Sequence, residues 1–207
     1  DDQAVLHVYM GESLWPRDRD LPAQLGAQAT LLADDSGVTP FDEACSRIWF
    51  ALAARFPDHP IPPACLAATV ELRGRADLCH ATAGRDADNL MAFLMRRGLI
   101  RGPAPPLPAL PREASPLSGV EHLKAPHPGV VVFLKEAGDA VRAGEVVAEV
   151  IDPLAASTRE RVHPVTAAAD GLLFARSVDR FARPGRILAK IAGLKPLKEA
   201  GENLLTP

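Results

Sequence analysis

Hydrophobic and polar positions along the first hundred residues change period several times, and each change marks an element. Ala4–Met10 (AVLHVYM) alternates as a strand does and stops at Gly11. Leu14-Trp15-Pro16 and the charged Arg17-Asp18-Arg19-Asp20 read as a loop, with Asp20 placed to cap a short helix over Leu21–Ala27. Thr30-Leu31-Leu32-Ala33 reads as a short buried strand, closed by the turn-forming cluster Asp34-Asp35-Ser36-Gly37. Thr39 and Pro40 suit the N-cap and first residue of a helix. In that helix Phe41, Ala44, Cys45, Ile48, Trp49, Leu52 and Phe56 recur at three- and four-residue steps, which predicts that this stripe packs on a sheet. Pro57 ends it. Cys65–Gly74 (CLAATVELRG) is an apolar run of strand length that carries one carboxylate and breaks at glycine. A helix over Asp86–Arg97 follows, with acids at its start, Arg96 and Arg97 at its end and Gly98 at the C′ position.

Strands that alternate with helices imply an α/β layer with parallel pairing. Only three strands are evident, and a parallel sheet is normally larger and covered on both faces. Residues 1–98 therefore look like the second half of a sheet. Residues 99–118 read as a linker: Pro103, Pro105, Pro106, Pro108, Pro111 and Pro116 make it extended and semi-rigid. Beyond it, over 119–193, the texture changes to short β segments punctuated by glycine, with a tail at 194–207 polar enough to fray. A weak repeat is visible there. Gly129-Val130-Val131 is echoed by Gly171-Leu172-Leu173, and Ala143–Val150 by Pro184–Ile191. Two copies of strand, glycine turn and strand, neither able to bury its face alone, suggest two interlocked sheets.

Composition narrows the classes. The 207 residues hold 47% hydrophobic side chains and a net charge of −3, which allows real cores and argues against nucleic acid as the main partner. No uncharged apolar run is long enough to span a membrane. Cys45, Cys65 and Cys79 lack CxxC spacing and read as reduced core cysteines of a cytoplasmic protein. The chain enters its first strand abruptly and without an initiator Met, as a fragment would.

Glu71 is the best candidate for general acid/base work. Strand alternation puts Thr69, Glu71 and Arg73 on one face and Val70 and Leu72 on the other. A buried glutamate needs an answering cation, donor or metal-bound water. The alternative is a carboxylate salt-bridged to Arg73 or Arg75. Asp34, just past a buried strand, would lie at the same sheet edge as Glu71 and line a substrate pocket, unless it only makes a turn. None of the six histidines forms HxH, HxxE or HExxH, so no metal site is expected within this chain. His7, on a strand, reads as a packed or edge histidine rather than a ligand. No GxSxG elbow and no phosphate-cradling loop is present.

The C-terminal segments Ala125-Pro126-His127-Pro128-Gly129 and Ala137–Gly144 resemble the barrel-sandwich hybrid of biotinyl and lipoyl carrier domains. A carrier lysine is missing: Glu149-Val150-Ile151-Asp152-Pro153 occupies the hairpin region, and no lysine lies between Lys135 and Lys190. Together, Thr69-Val70-Glu71-Leu72-Arg73-Gly74 and the lysine-less module, with Asp170-Gly171 and Arg176, resemble the succinylglutamate desuccinylase/aspartoacylase family, zinc hydrolases with a carboxypeptidase-like fold. The resemblance covers most of residues 1–192. It implies hydrolysis of N-acyl amino acids or related amides by zinc-bound water, with Glu71 as general base and later proton donor. Arg73 would pair with Glu71 or read a substrate carboxylate. The family's zinc ligands and its Asn-Arg substrate motif have no match here. By this resemblance the chain is the C-terminal portion of such an enzyme, inactive alone, with zinc held by the missing N-terminal portion. The β module would wall the cleft or mediate homo-oligomeric assembly. The rival is a non-catalytic binding or assembly protein built on that module.

Overall fold

The computed structural model describes residues 2–75, 77–197 and 204–205. In its first part, β1 (Gln3–Ala4), β2 (His7–Met10), α1 (Trp15–Asp18), α2 (Asp20–Leu25), β3 (Ala29–Leu32), α3 (Phe41–Arg55), β4 (Ala68–Glu71), α4 (His80–Arg96) and β5 (Ser115–Pro116) follow in order. Four of these strands form a mixed sheet in the order β4-β2-β3-β5. β3 runs parallel to both β2 and β5, whereas β4 is antiparallel to β2. Of the parallel or mixed sheet expected, it is the mixed one that forms, and the antiparallel strand is the one that carries Glu71. Its C-terminal end lies beside the start of β2, with Glu71 paired to His7.

Three further readings shift. The first strand is two: at Val5 and Leu6 the chain leaves one sheet and enters another. α4 begins at His80 rather than Asp86, with Cys79 as its N-cap, so Asp86 lies inside the helix. Gly98 takes the left-handed conformation expected past its end (φ +72°). The third change is the sense of α3. Its buried residues are Asp42, Glu43 and Ser46, while Phe41 is 72% exposed and Ile48 and Phe56 are exposed too. The apolar stripe faces outward, because the polar stripe is the one that meets β4 and β2.

The second part contains β6 (Val120–Lys124), β7 (Gly129–Phe133), β8 (Ala140–Val141), β9 (Val146–Ile151), the short α5 (Thr158–Arg161), β10 (Val162–Thr166), β11 (Gly171–Arg176), β12 (Phe181–Ala182) and β13 (Ile187–Gly193). They form two antiparallel sheets, β10-β9-β7-β12 and β1-β11-β13-β6, with β8 paired to β11. The repeat is visible in this exchange. β8 of the first copy pairs with β11 of the second, and β12 of the second pairs with β7 of the first. One core draws on both sheets, with Val131, Val147 and Val150 from one and Leu173, Leu188 and Ile191 from the other. The repeated glycines let strands approach. A Cβ on Gly171 would lie 2.5 Å from the carbonyl oxygen of Ala192, across the β11–β13 pair. Gly171→Ala is expected to cost about 1–3 kcal/mol, at the upper end because backbone must move. A thermal melt reads it as a loss of roughly 5–10 °C.

The two parts share a second core. Ala4, Val5, Ala29 and Leu31 pack with Leu172, Phe174 and Ala175, and β1 pairs with β11. The opposite face of the mixed sheet is covered by α2 and α4 through Val8, Leu21, Leu25 and Phe93. Between α4 and β5 no regular element intervenes, in keeping with the proline run. The fraying expected past Gly193 falls largely outside the described residues, but Leu204 donates its amide to the Ser36 carbonyl (2.9 Å) and packs with Leu205 on the shared core. Among the described residues, no helix is long and apolar enough to cross a membrane.

Candidate functional site

Register decides which side chains meet. His7 lies opposite Glu71 and Tyr9 opposite Thr69 on one side of β2, while Ala29 and Leu31 lie opposite the same two on the other. Directly paired residues share a face, and this is the face turned toward the β module. Thr69 and Glu71 therefore point as their alternation predicts. A cavity of about 250 Å³ opens there, lined by Tyr9, Thr69 and Glu71 from the sheet, Asp42 and Glu43 from α3, and Lys190 from β13. The Thr69 hydroxyl donates to Asp42 Oδ1 (2.9 Å), tying the first turn of α3 to the Glu71 strand.

The electrostatics follow from crowding charges under partial burial. Burial first, then the carboxylates of Glu71 and Asp42, holds the Tyr9 phenol above its ordinary range and keeps it a neutral donor. Burial lowers the pKa of Lys190, and the Glu71 charge works against that shift. His7 is fully buried, with Nδ1 2.8 Å from the Val5 carbonyl and its ring edge-on to Tyr9 and Phe174. It is the packed histidine expected, and burial holds its pKa down.

Across from Lys190 stands His122, whose pKa is pushed down to about 4 by burial, then by Lys190 and Lys124. A histidine that resists protonation when folded is titrated more readily in the unfolded chain. Its contribution is intact above about pH 6.5 and is lost as pH falls from there toward 4. His122→Gln should therefore flatten the acid limb of a stability-versus-pH curve in that window. Urea melts from pH 7 to pH 4 check this, and an unchanged slope would count against it.

The remaining residues singled out from sequence lie elsewhere. Arg73 has a left-handed backbone (φ +83°), so the strand face does not continue to it. Its guanidinium grips Asp86 on α4, with Nη1 2.6 Å from Oδ2 and Nη2 3.2 Å from Oδ1. Arg75 pairs with Asp2 at 2.8 Å. Neither arginine is the ion-pair partner of Glu71. Asp34 does not share an edge with Glu71. The antiparallel β4 places the two at opposite ends of strands roughly 10 Å long, and Asp34 binds the amide and hydroxyl of Ser13 beside a separate cavity of about 380 Å³. Cys79 is exposed rather than a core residue. Among the described residues, no group of three or more His, Cys, Asp or Glu is placed to hold a metal ion.

Sequence reasoning missed Tyr9, Asp42, Glu43 and Lys190. The signal for two of them was present: Asp42, Glu43 and Ser46 form a polar stripe at helical spacing. Lys190 comes from the distant β13, and nothing local announces it.

The sequence matches no protein-family model and is not significantly similar to any curated protein. Solved structures do share its fold. A succinylglutamate desuccinylase/aspartoacylase family protein of Shewanella amazonensis SB2B superposes with a TM-score of 0.77 at 21% identity, over 93% of this chain and 52% of its own. A succinylglutamate desuccinylase/aspartoacylase of Shewanella frigidimarina NCIMB 400 gives 0.74 at 19% identity, over 93% and 51%. The product-bound ectoine utilization protein EutE (DoeB) of Ruegeria pomeroyi gives 0.68 at 13% identity, over 92% and 54%. The chain spans about half the length of these proteins. The resemblance carried by Thr69–Gly74 and the lysine-less module is thus matched by the fold, a mixed α/β architecture with several sheets.

Proposed function

We propose that this chain is the C-terminal portion of a hydrolase that deacylates N-acyl amino acids or related amides, with Glu71 as its proton-transfer group. The observation that carries the reading is the placement of Glu71: it faces the cavity walled by the β module, while Arg73 and Arg75 are bound to Asp86 and Asp2. In the reaction, Glu71 takes a proton from the attacking water as its oxygen bonds to the acyl carbon. It returns that proton to the amine nitrogen as the C–N bond breaks. Tyr9 holds a donor in the same cavity, and the β module shields one side of it from bulk water.

Zinc, which the family resemblance implies, would polarise the acyl carbonyl and acidify the attacking water. The donor set here does not fit it. The described residues bring no ligand cluster together, so the metal would have to be held by residues outside them, and no step assigned to this chain runs through it. The two interlocked sheets suit a barrel-sandwich module that acts as a wall of the cleft, and a cytoplasmic location fits the free cysteines. The test is amine release from a panel of N-acyl amino acids by the intact gene product. Release is expected; its absence across acetyl, succinyl and longer acyl groups would overturn the proposal.

A further inference from the structure

The cavity beside Glu71 is unbalanced in charge. Among the described residues, Asp42, Glu43 and Glu71 bring three carboxylates to its lining against one ammonium, that of Lys190. Lys190 is engaged electrostatically with Glu71, and Asp42 Oδ1 is occupied by the Thr69 hydroxyl. Glu43 differs from both. It is only 6% exposed, and its Oε2 is buried without a hydrogen-bond partner. A carboxylate oxygen taken out of water and left unpaired is costly unless the site receives a donor. Glu43 also lines the second cavity, on the far side of the same wall.

Resting on the deacylase reading, we infer that Glu43, with Asp42 beside it, forms a subsite for a cationic group of the substrate, a primary ammonium or a guanidinium. An organic cation fits better than a metal ion, because no third ligating side chain joins the pair among the described residues. α3 turns both acids inward, toward the cavity. A substrate with a second basic group would place that group at Glu43 and its acyl amide at Glu71.

The test is calorimetric binding of 1,4-diaminobutane and agmatine to the intact protein, with 1,4-butanediol as uncharged control and magnesium chloride as the metal alone. The two cations are expected to bind and the diol is not. Glu43→Gln should weaken the cations about 10- to 100-fold, the worth of a lost charged hydrogen bond, and Glu43→Asp should weaken them less. If Glu43→Gln does not fold, shift mapping on the unaltered protein decides. Diamine-induced shifts at the amides of residues 41–46 and 69 support the subsite, and shifts elsewhere overturn it. Equal binding to Glu43→Gln, binding of the diol, binding of magnesium instead of the diamine, or no cation binding would each overturn it. The deacylase reading fails separately, through absence of amine release from the N-acyl amino acid panel, a result that leaves cation binding untouched.

Discussion

Asp18→Asn is expected to destabilise the protein by about 3–5 kcal/mol, the cost of breaking a buried charge pair from one side. Asp18 is fully buried (0% exposed) at the end of α1. Arg17 Nη2 lies 2.6 Å from its Oδ2 and Arg97 Nη2 lies 3.0 Å from its Oδ1. Arg97 also binds Asp20 at 2.5 Å, and Arg17 donates to the carbonyls of Pro63 and Cys65 at 2.7 and 2.8 Å. Through Asp18, the segment before β4 and the end of α4 are tied to one point beneath the sheet. An asparagine keeps the shape but leaves two guanidinium groups facing a neutral amide. The melting temperature should fall by roughly 10 °C or more. Asp20→Asn, at a more exposed carboxylate, should cost about 1 kcal/mol. A loss below 1 kcal/mol for Asp18→Asn would show that the network holds no more than a surface pair does.

That network also marks what the sequence conceals. Arg17-Asp18-Arg19-Asp20 reads as a loop, since nothing local says that Asp18 is enclosed or that Arg97, 79 residues away, returns to it. Period and punctuation are local, and they are read well: β3, α3, β4, Gly98 and the paired repeats of the β module all lie within a few residues of their signals. The α3 inversion shows the limit. Two stripes of that helix have helical spacing, and burial goes to the polar one because the cavity lies on that side. The antiparallel sense of β4 is likewise set by pairing with β2, a choice that alternation in one strand cannot encode.

The site divides in the same way. The face on which Glu71 lies follows from the two-residue period of its own strand, so it was legible. The loss of Arg73 from that face follows from a left-handed residue two positions later, and its grip on Asp86 from the early start of α4. Lys190 and Tyr9 join the cavity only through the shared core between the sheet and the module. Such a juxtaposition has no trace in spacing.

The second large effect belongs to Glu71 itself. On the proposed deacylase reading, Glu71→Gln in the intact gene product keeps the volume and removes the proton acceptor, so turnover should fall by roughly 10²–10⁴, the usual worth of general acid/base catalysis. The fold should change little. Glu71 is half-buried, and the arginines next to it in sequence are bound to other acids. Its charge is felt by Lys190, so a modest change in stability is expected there and not a collapse. The deciding measurement is kcat per folded molecule for Glu71→Gln, taken with a melting curve on the same sample. A fall of roughly 10²–10⁴ in kcat with a melting temperature near that of the unaltered enzyme is the predicted result. Near-normal kcat with a depressed melting temperature would contradict it and make Glu71 a structural carboxylate.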